Sequence, residues 1–168
     1  MPKIIENLPE KLAEEARRQI IESGYGAMTI RSVAKACGVG VGTVYNYYPS
    51  KDALVAQFML EDWKNCIDAI EQCARTAKGH EPVLWSIYDS LIQFMQRHEM
   101  ILRDENAAAS FSGTSGKYHG LLRSQLAAPL RRFCRDDFTA DFIAEAMLTW
   151  TVSGRSFDEL QNVLKKLF

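Results

Sequence analysis

The sequence predicts an all-α chain: an N-terminal three-helix module with a helix-turn-helix, then a C-terminal helical bundle, with about nine helices in all. Three observations predict it. Apolar residues recur at helical spacing along nearly the whole length. No alternating stretch is long enough to make a strand. Glycine, proline and capping residues fall where helices must stop and start.

The elements follow in order. Leu12, Ala13, Ala16 and Ile20 make one stripe, with Glu14, Glu15, Arg17 and Arg18 opposite, and Gly24 ends that helix. Thr29 is an N-cap for a short helix whose inner face is Ile30, Val33, Ala34 and Cys37. Gly38-Val39-Gly40 interrupts the pattern, and Val41, Val44, Tyr45 and Tyr48 resume it until Pro49. Ser50 caps the next helix and Asp52 complements its dipole. That helix runs through Val55, Met59, Trp63, Ile67, Ile70 and Cys73 towards Lys78-Gly79-His80. A strongly apolar segment follows Pro82, from Val83 to Met95. Residues 110–120, rich in Ser and Gly, read as a loop. Leu121–Cys134 reads as helix with a kink or restart at Pro129, and Thr139–Ser153 as another, bounded by Gly154. Ser156 and Glu159 form a capping-box pattern before the last helix.

Composition bounds the function. The 168 residues carry 20 basic and 21 acidic side chains, a net charge of -1, with 47% hydrophobic residues. That balance is globular, and it excludes an electrostatic coater of nucleic acid while leaving room for a local basic surface. No apolar run suggests a membrane span, and Met1–Asn7 does not read as a secretory signal, so a cytoplasmic location is expected. Cys37, Cys66, Cys73 and Cys134 show no metal-ligand spacing and read as reduced thiols. His80, His98 and His119 stand alone in the sequence, and no Glu-x-x-His pair suggests a di-metal bundle. We therefore expect no catalytic residues, no metal and no cofactor.

Function concentrates between residues 29 and 51. Two short helices joined by a Gly-containing turn, after a longer helix, make the helix-turn-helix plan. From Ser23 through Lys51 there is no acidic residue, while Arg31, Lys35 and Lys51 are present. A phosphate-facing surface needs that local absence of negative charge. Gly40 and Gly42 lack a Cβ and let backbone approach a groove. Thr43, Tyr45, Asn46 and Tyr47 offer hydroxyls and an amide to phosphates or base edges, and Val41 and Thr43 offer methyls. Val44 and Tyr48, four apart, are assigned to packing. A dinucleotide-binding turn at Gly38–Gly42 is disfavoured, because the preceding pattern is helical rather than a strand.

The run Thr29-Ile-Arg-Ser-Val-Ala-Lys-Ala-Cys-Gly-Val-Gly-Val-Gly-Thr-Val-Tyr-Asn-Tyr-Tyr-Pro-Ser-Lys51 resembles the DNA-binding domain of the tetracycline-repressor (TetR) family, over roughly Leu8–Leu60. The resemblance implies a homodimeric, ligand-responsive transcriptional repressor acting on a palindromic DNA operator. It carries DNA contacts onto Thr29, Arg31, Val41, Gly42, Thr43, Tyr45, Tyr47 and Lys51, beside Asn46 from the reading above. Val41 stands where many relatives have Lys or Ser, so this position offers a methyl rather than a polar group. We place the DNA-binding domain at 1–52 and an effector-binding and dimerisation domain at 53–168. The resemblance places dimerisation in the last helices, and a small-molecule effector site is expected among Trp63, Trp85, Tyr88, Asp89, Phe94, Met95 and Trp150. The alternative is a helical protein-interaction module with a residual DNA-binding domain and no effector.

Overall fold

The computed structural model describes residues 6–107 and 115–168. Its elements are α1 (Leu8–Ser23), α2 (Ile30–Ala36), α3 (Val41–Tyr47), α4 (Lys51–Thr76), α5 (His80–Arg97), α6 (Glu99–Leu102), α7 (Ser115–Ala127), a 3-10 turn (Ala128–Leu130), α8 (Asp137–Val152) and α9 (Phe157–Leu164). The chain is all-α, as the periodicity predicts. No described helix is long and apolar enough to cross a membrane.

Two compact units form. The first contains the chain up to Asp62 and takes back the segment that begins at His98, so it is larger than the 1–52 span read from the sequence. In it, α1 turns Leu12, Ala16 and Ile20 inward and stops at Gly24, whose positive φ of 85° suits a residue without a Cβ. Thr29 caps α2 as expected. Its hydroxyl accepts the Ser32 N–H at 3.0 Å, and the Ser32 hydroxyl accepts the Thr29 N–H at 3.1 Å. Val33, Val44, Leu54, Val55 and Phe58 complete a closed core, each stabilising the unit by about 1.5–3 kcal/mol. Ile101 and Ala107 are buried in that same core although they lie far along the chain.

The second unit contains Trp63–Arg97 and the helices from α7 onward. Its core joins Ile67, Ile70 and Ala74 of α4 to Val83, Leu84, Ile87 and Leu91 of α5. Leu126 and Leu130, Ile143 and Met147 of α8, and Leu160 and Leu164 of α9 close it.

Three boundaries differ from the sequence reading. Residues 115–120 are the first turns of α7 rather than loop, while 110–114 lie outside the described residues. Ser and Gly lower helix propensity, but Leu122 and Leu126 pack into the core and override it. The Leu121–Cys134 helix stops at Ala127, because Pro129 has no N–H to continue the ladder and falls in the 3-10 turn. Helix α5 starts at His80, with Pro82 in the first turn, where a missing N–H costs nothing.

Candidate nucleic-acid interface

The turn between α2 and α3 is closed by two backbone bonds. Gly38, at φ 68°, donates its N–H to the Lys35 carbonyl at 3.2 Å, and Val39 donates to Ala34 at 2.9 Å. This is the Schellman arrangement, and it turns the chain sharply enough to place the α3 N-cap, Gly40, three residues after the α2 C-cap, Cys37. Val44 is fully buried and Tyr48 nearly so, with the Tyr48 hydroxyl donating to the Pro9 carbonyl at 3.2 Å. Gly42, Tyr45 and Asn46 are therefore on the opposite, exposed side, at i, i+3 and i+4. Tyr45 is 50% and Tyr47 49% exposed, an unusual cost for aromatics unless something covers them. Val41 and Thr43 are half-buried at the flanks.

On α2, Arg31 in the first turn and Lys35 in the last are exposed. Thr29 is also exposed, but its hydroxyl is engaged by the cap described above. Lys51 differs from the sequence picture of an open cation. Its ammonium donates to the Tyr25 carbonyl and lies over the Tyr25 ring, 3.9 Å from the centroid. Burial holds the Lys51 ammonium below the usual lysine range, with the charges of Asp104 and Asp52 opposing that shift. The Tyr25 hydroxyl in turn donates to Asp52. Lys51 thus pins the α1–α2 connection to the start of α4. Nothing in the sequence marks Tyr25 as its partner, since the two are far apart along the chain.

The second unit brings some of the seven effector candidates together and not others. Trp63 meets Phe94 edge-on at 5.6 Å and donates its indole N–H to Gln125 at 2.8 Å. Trp85 and Tyr88 instead gather around Phe157 of α9, at 4.9 and 5.5 Å, a residue the sequence reading did not single out. The Tyr88 hydroxyl donates to the Arg155 carbonyl at 3.2 Å, and Arg155 lies 6.0 Å from the Trp150 ring. Asp89 accepts from Gln93 at 2.7 Å, and Met95 is half-buried. An open groove of about 290 Å³ in this unit is lined by Glu71, Ala74, Arg75, Ala128, Pro129 and Arg132, none of them from that set.

An exposed, acid-free helix set on a buried three-helix support makes a helix-turn-helix module. Residues 12–58 match the family described as bacterial regulatory proteins, tetR family. The KstR transcriptional repressor of Rhodococcus jostii is 25% identical over 120 residues, covering 66% of this chain and 55% of that protein. The chain thus spans about half the length of this curated relative. A transcriptional regulator of Streptomyces coelicolor shares the fold with a TM-score of 0.70 at 14% identity, covering 94% of this chain and 96% of that one. The TetR-family repressor AlkX of a Dietzia strain does so with a TM-score of 0.65 at 15% identity, covering 94% and 97%. Over residues 12–58 the chain is thus similar to the tetR family of bacterial regulatory proteins, and across most of its length it shares the fold of these regulators.

Proposed function

We propose that this chain is a repressor that binds duplex DNA through α3 as a homodimer and releases it when a small molecule binds the second unit. The observation that carries the DNA reading is the outward face Gly42–Tyr45–Asn46, flanked by Thr43 and Tyr47, in a stretch free of acidic side chains. Tyr45, Asn46 and Thr43 reach base edges, Gly42 admits the backbone closely, and Arg31 and Lys35 meet phosphates.

Dimerisation is supported by exposed aromatic residues on one side of α8. Phe138, Phe142, Glu145, Thr149 and Val152 recur at i, i+4, i+7, i+11 and i+14, so they share one side of the helix. Phe138 is 78% and Phe142 53% exposed, which a second copy would cover. One seven-residue helix reads too few base pairs for useful specificity. Two related by a two-fold axis read a palindrome with half-sites about 34–36 Å apart or a multiple of that.

Ligand response is supported by the aromatic residues around Phe157 and by the relative AlkX, which is implicated in biodegradation of n-alkanes. The test is selection of duplexes from a random pool by the wild-type protein, followed by titration of Thr43→Ala and Tyr45→Ala. Both variants should bind the selected duplex about 5- to 150-fold more weakly, by about 1–3 kcal/mol, while random duplex binds unchanged. Equal losses on both duplexes would remove α3 as the reader.

A further inference from the structure

The first unit contains a set of ionisable groups that the DNA reading does not use. Asp62, on α4, is 5% exposed, and His98, just after α5, is 2% exposed. One carboxylate oxygen, Asp62 Oδ2, is 2.8 Å from Arg17 Nη1 of α1 and 2.9 Å from His98 Nε2. Phe58, one turn before Asp62, stacks on the His98 ring at 6.0 Å with the planes 19° apart. The Arg17 guanidinium lies over that same Phe58 ring at 5.0 Å. Three separate stretches of chain therefore converge on one carboxylate.

Stability alone does not account for this. Desolvating such charges is costly, and a well-packed apolar set of the same volume is often as stable. What the polar set adds is direction: one carboxylate oxygen lying against both the Arg17 guanidinium and the His98 ring fixes where α1, α4 and the His98 segment meet. That direction matters at the other end of α4. Lys51 lies eleven residues before Asp62, about 16 Å at the helical rise, so a tilt of about 5° at Asp62 displaces Lys51 by more than ~1 Å. Leu54, Val55 and Phe58, on the same stretch, are buried in one core with Ile30 and Val33 of α2 and Val44 of α3. A shift of about 1 Å is enough to lose hydrogen bonds to base edges.

We propose that Arg17, Asp62 and His98 are positioning residues for DNA recognition, setting the direction of the first turns of α4 and so the presentation of α3. The proposal rests on the DNA-binding reading above. Its role is in the specific complex: random duplex, held by surface charge, tolerates the displacement.

The test uses the full chain and a duplex selected from a random pool by the wild-type protein. Asp62→Asn, His98→Phe and Arg17→Gln are titrated on that duplex and on random duplex, with the active fraction fixed by stoichiometric titration. Each single variant is expected to weaken the selected duplex about tenfold and random duplex less than twofold. The Asp62→Asn/His98→Phe double variant should be no weaker than the worse single, because the groups act as one unit. Arg17→Lys should recover most of the loss. Arg17 is at the rim of the cluster, 30% exposed, so its variants fold even where a change at Asp62 does not. Variants that melt earlier yet bind the selected duplex with wild-type affinity would make the cluster purely structural and overturn the proposal. If Thr43→Ala and Tyr45→Ala also leave binding to the selected duplex unchanged, the DNA reading falls with it. If those two weaken binding while the cluster variants do not, only the positioning role is lost.

Discussion

Lys51 and Arg31 show how one residue's surroundings decide its task. By sequence Lys51 is a phosphate anchor, but its ammonium is turned to the Tyr25 carbonyl and ring. Arg31 is exposed at the first turn of α2. Arg31→Ala should therefore lower the slope of log affinity against log salt by about one, equally on all sequences. Lys51→Met should leave the slope nearly unchanged and lower the melting temperature instead. Titrations at several salt concentrations, with thermal melts beside them, check both, and a reversed pattern would return Lys51 to the phosphates. Gly42 is a second case. A Cβ built there meets nothing within 4 Å, so the fold does not demand glycine. Gly42→Ala should raise helix stability by up to about 1 kcal/mol. It should at the same time weaken operator binding, if DNA approaches the backbone there. Higher melting temperature with unchanged affinity would show that DNA stays away from this turn.

At the scale of the element, helix ends carry the pH dependence of the second unit. Asp136 caps α8, and the Thr139 N–H it accepts, at 2.7 Å, holds its carboxyl below the usual range. Glu159 closes the capping box of α9, and the Ser156 N–H at 3.0 Å does the same to it. A carboxylate with a lowered folded value binds its proton more readily when unfolded. Its stabilising effect is complete above the ordinary carboxylate range and is lost as pH falls through and below about 4. The wild-type melting temperature should accordingly drop between about pH 5 and pH 3. The Asp136→Asn/Glu159→Gln variant, which keeps acceptors but not charge, should show a shallower drop over that window. Identical slopes would place the acid sensitivity elsewhere, with Glu145, which His119 holds below its usual range, as the next candidate. The α9 capping box is legible in the sequence because it needs only residues three apart, whereas the sequence reading begins α8 at Thr139 and does not single out Asp136. The N-terminal boundary of α7 is not legible either, because its helix is held by packing against α8 rather than by propensity.

At the scale of the whole molecule, the first unit, which contains the helix-turn-helix, is not a continuous piece of chain. Ile101 is 3% exposed and is buried with Leu12 and Phe58 in the first core. Ile101→Ala should cost about 2–5 kcal/mol, and amide exchange should quicken in α1–α3 rather than in α8 and α9. Exchange confined to the second unit would contradict the placement of this segment. A fragment ending at Thr76 lacks Ile101 and Ala107 and should melt well below the full chain. For assembly, Phe138→Glu/Phe142→Glu puts charge on a face already exposed in one copy, so the fold should survive. Sedimentation should then give a monomer and operator affinity should fall by at least tenfold, whereas a persisting dimer would move the interface away from α8.

Local chemistry along the chain determined the helical class, the cap at Thr29, the turn at Gly38 and the split between buried Val44 and Tyr48 and exposed Tyr45 and Asn46. Each depends on residues within about one or two helical turns, where spacing and backbone preference act directly. The return of His98 and Ile101 to the first unit was decided only in three dimensions. So were the Lys51–Tyr25 contact, the gathering of Trp85 and Tyr88 around Phe157, and the Arg17–Asp62–His98 set. These pairings join positions far apart in the chain. Periodicity marks which side of a helix is apolar, but not which distant partner covers it, and only packing chooses that partner.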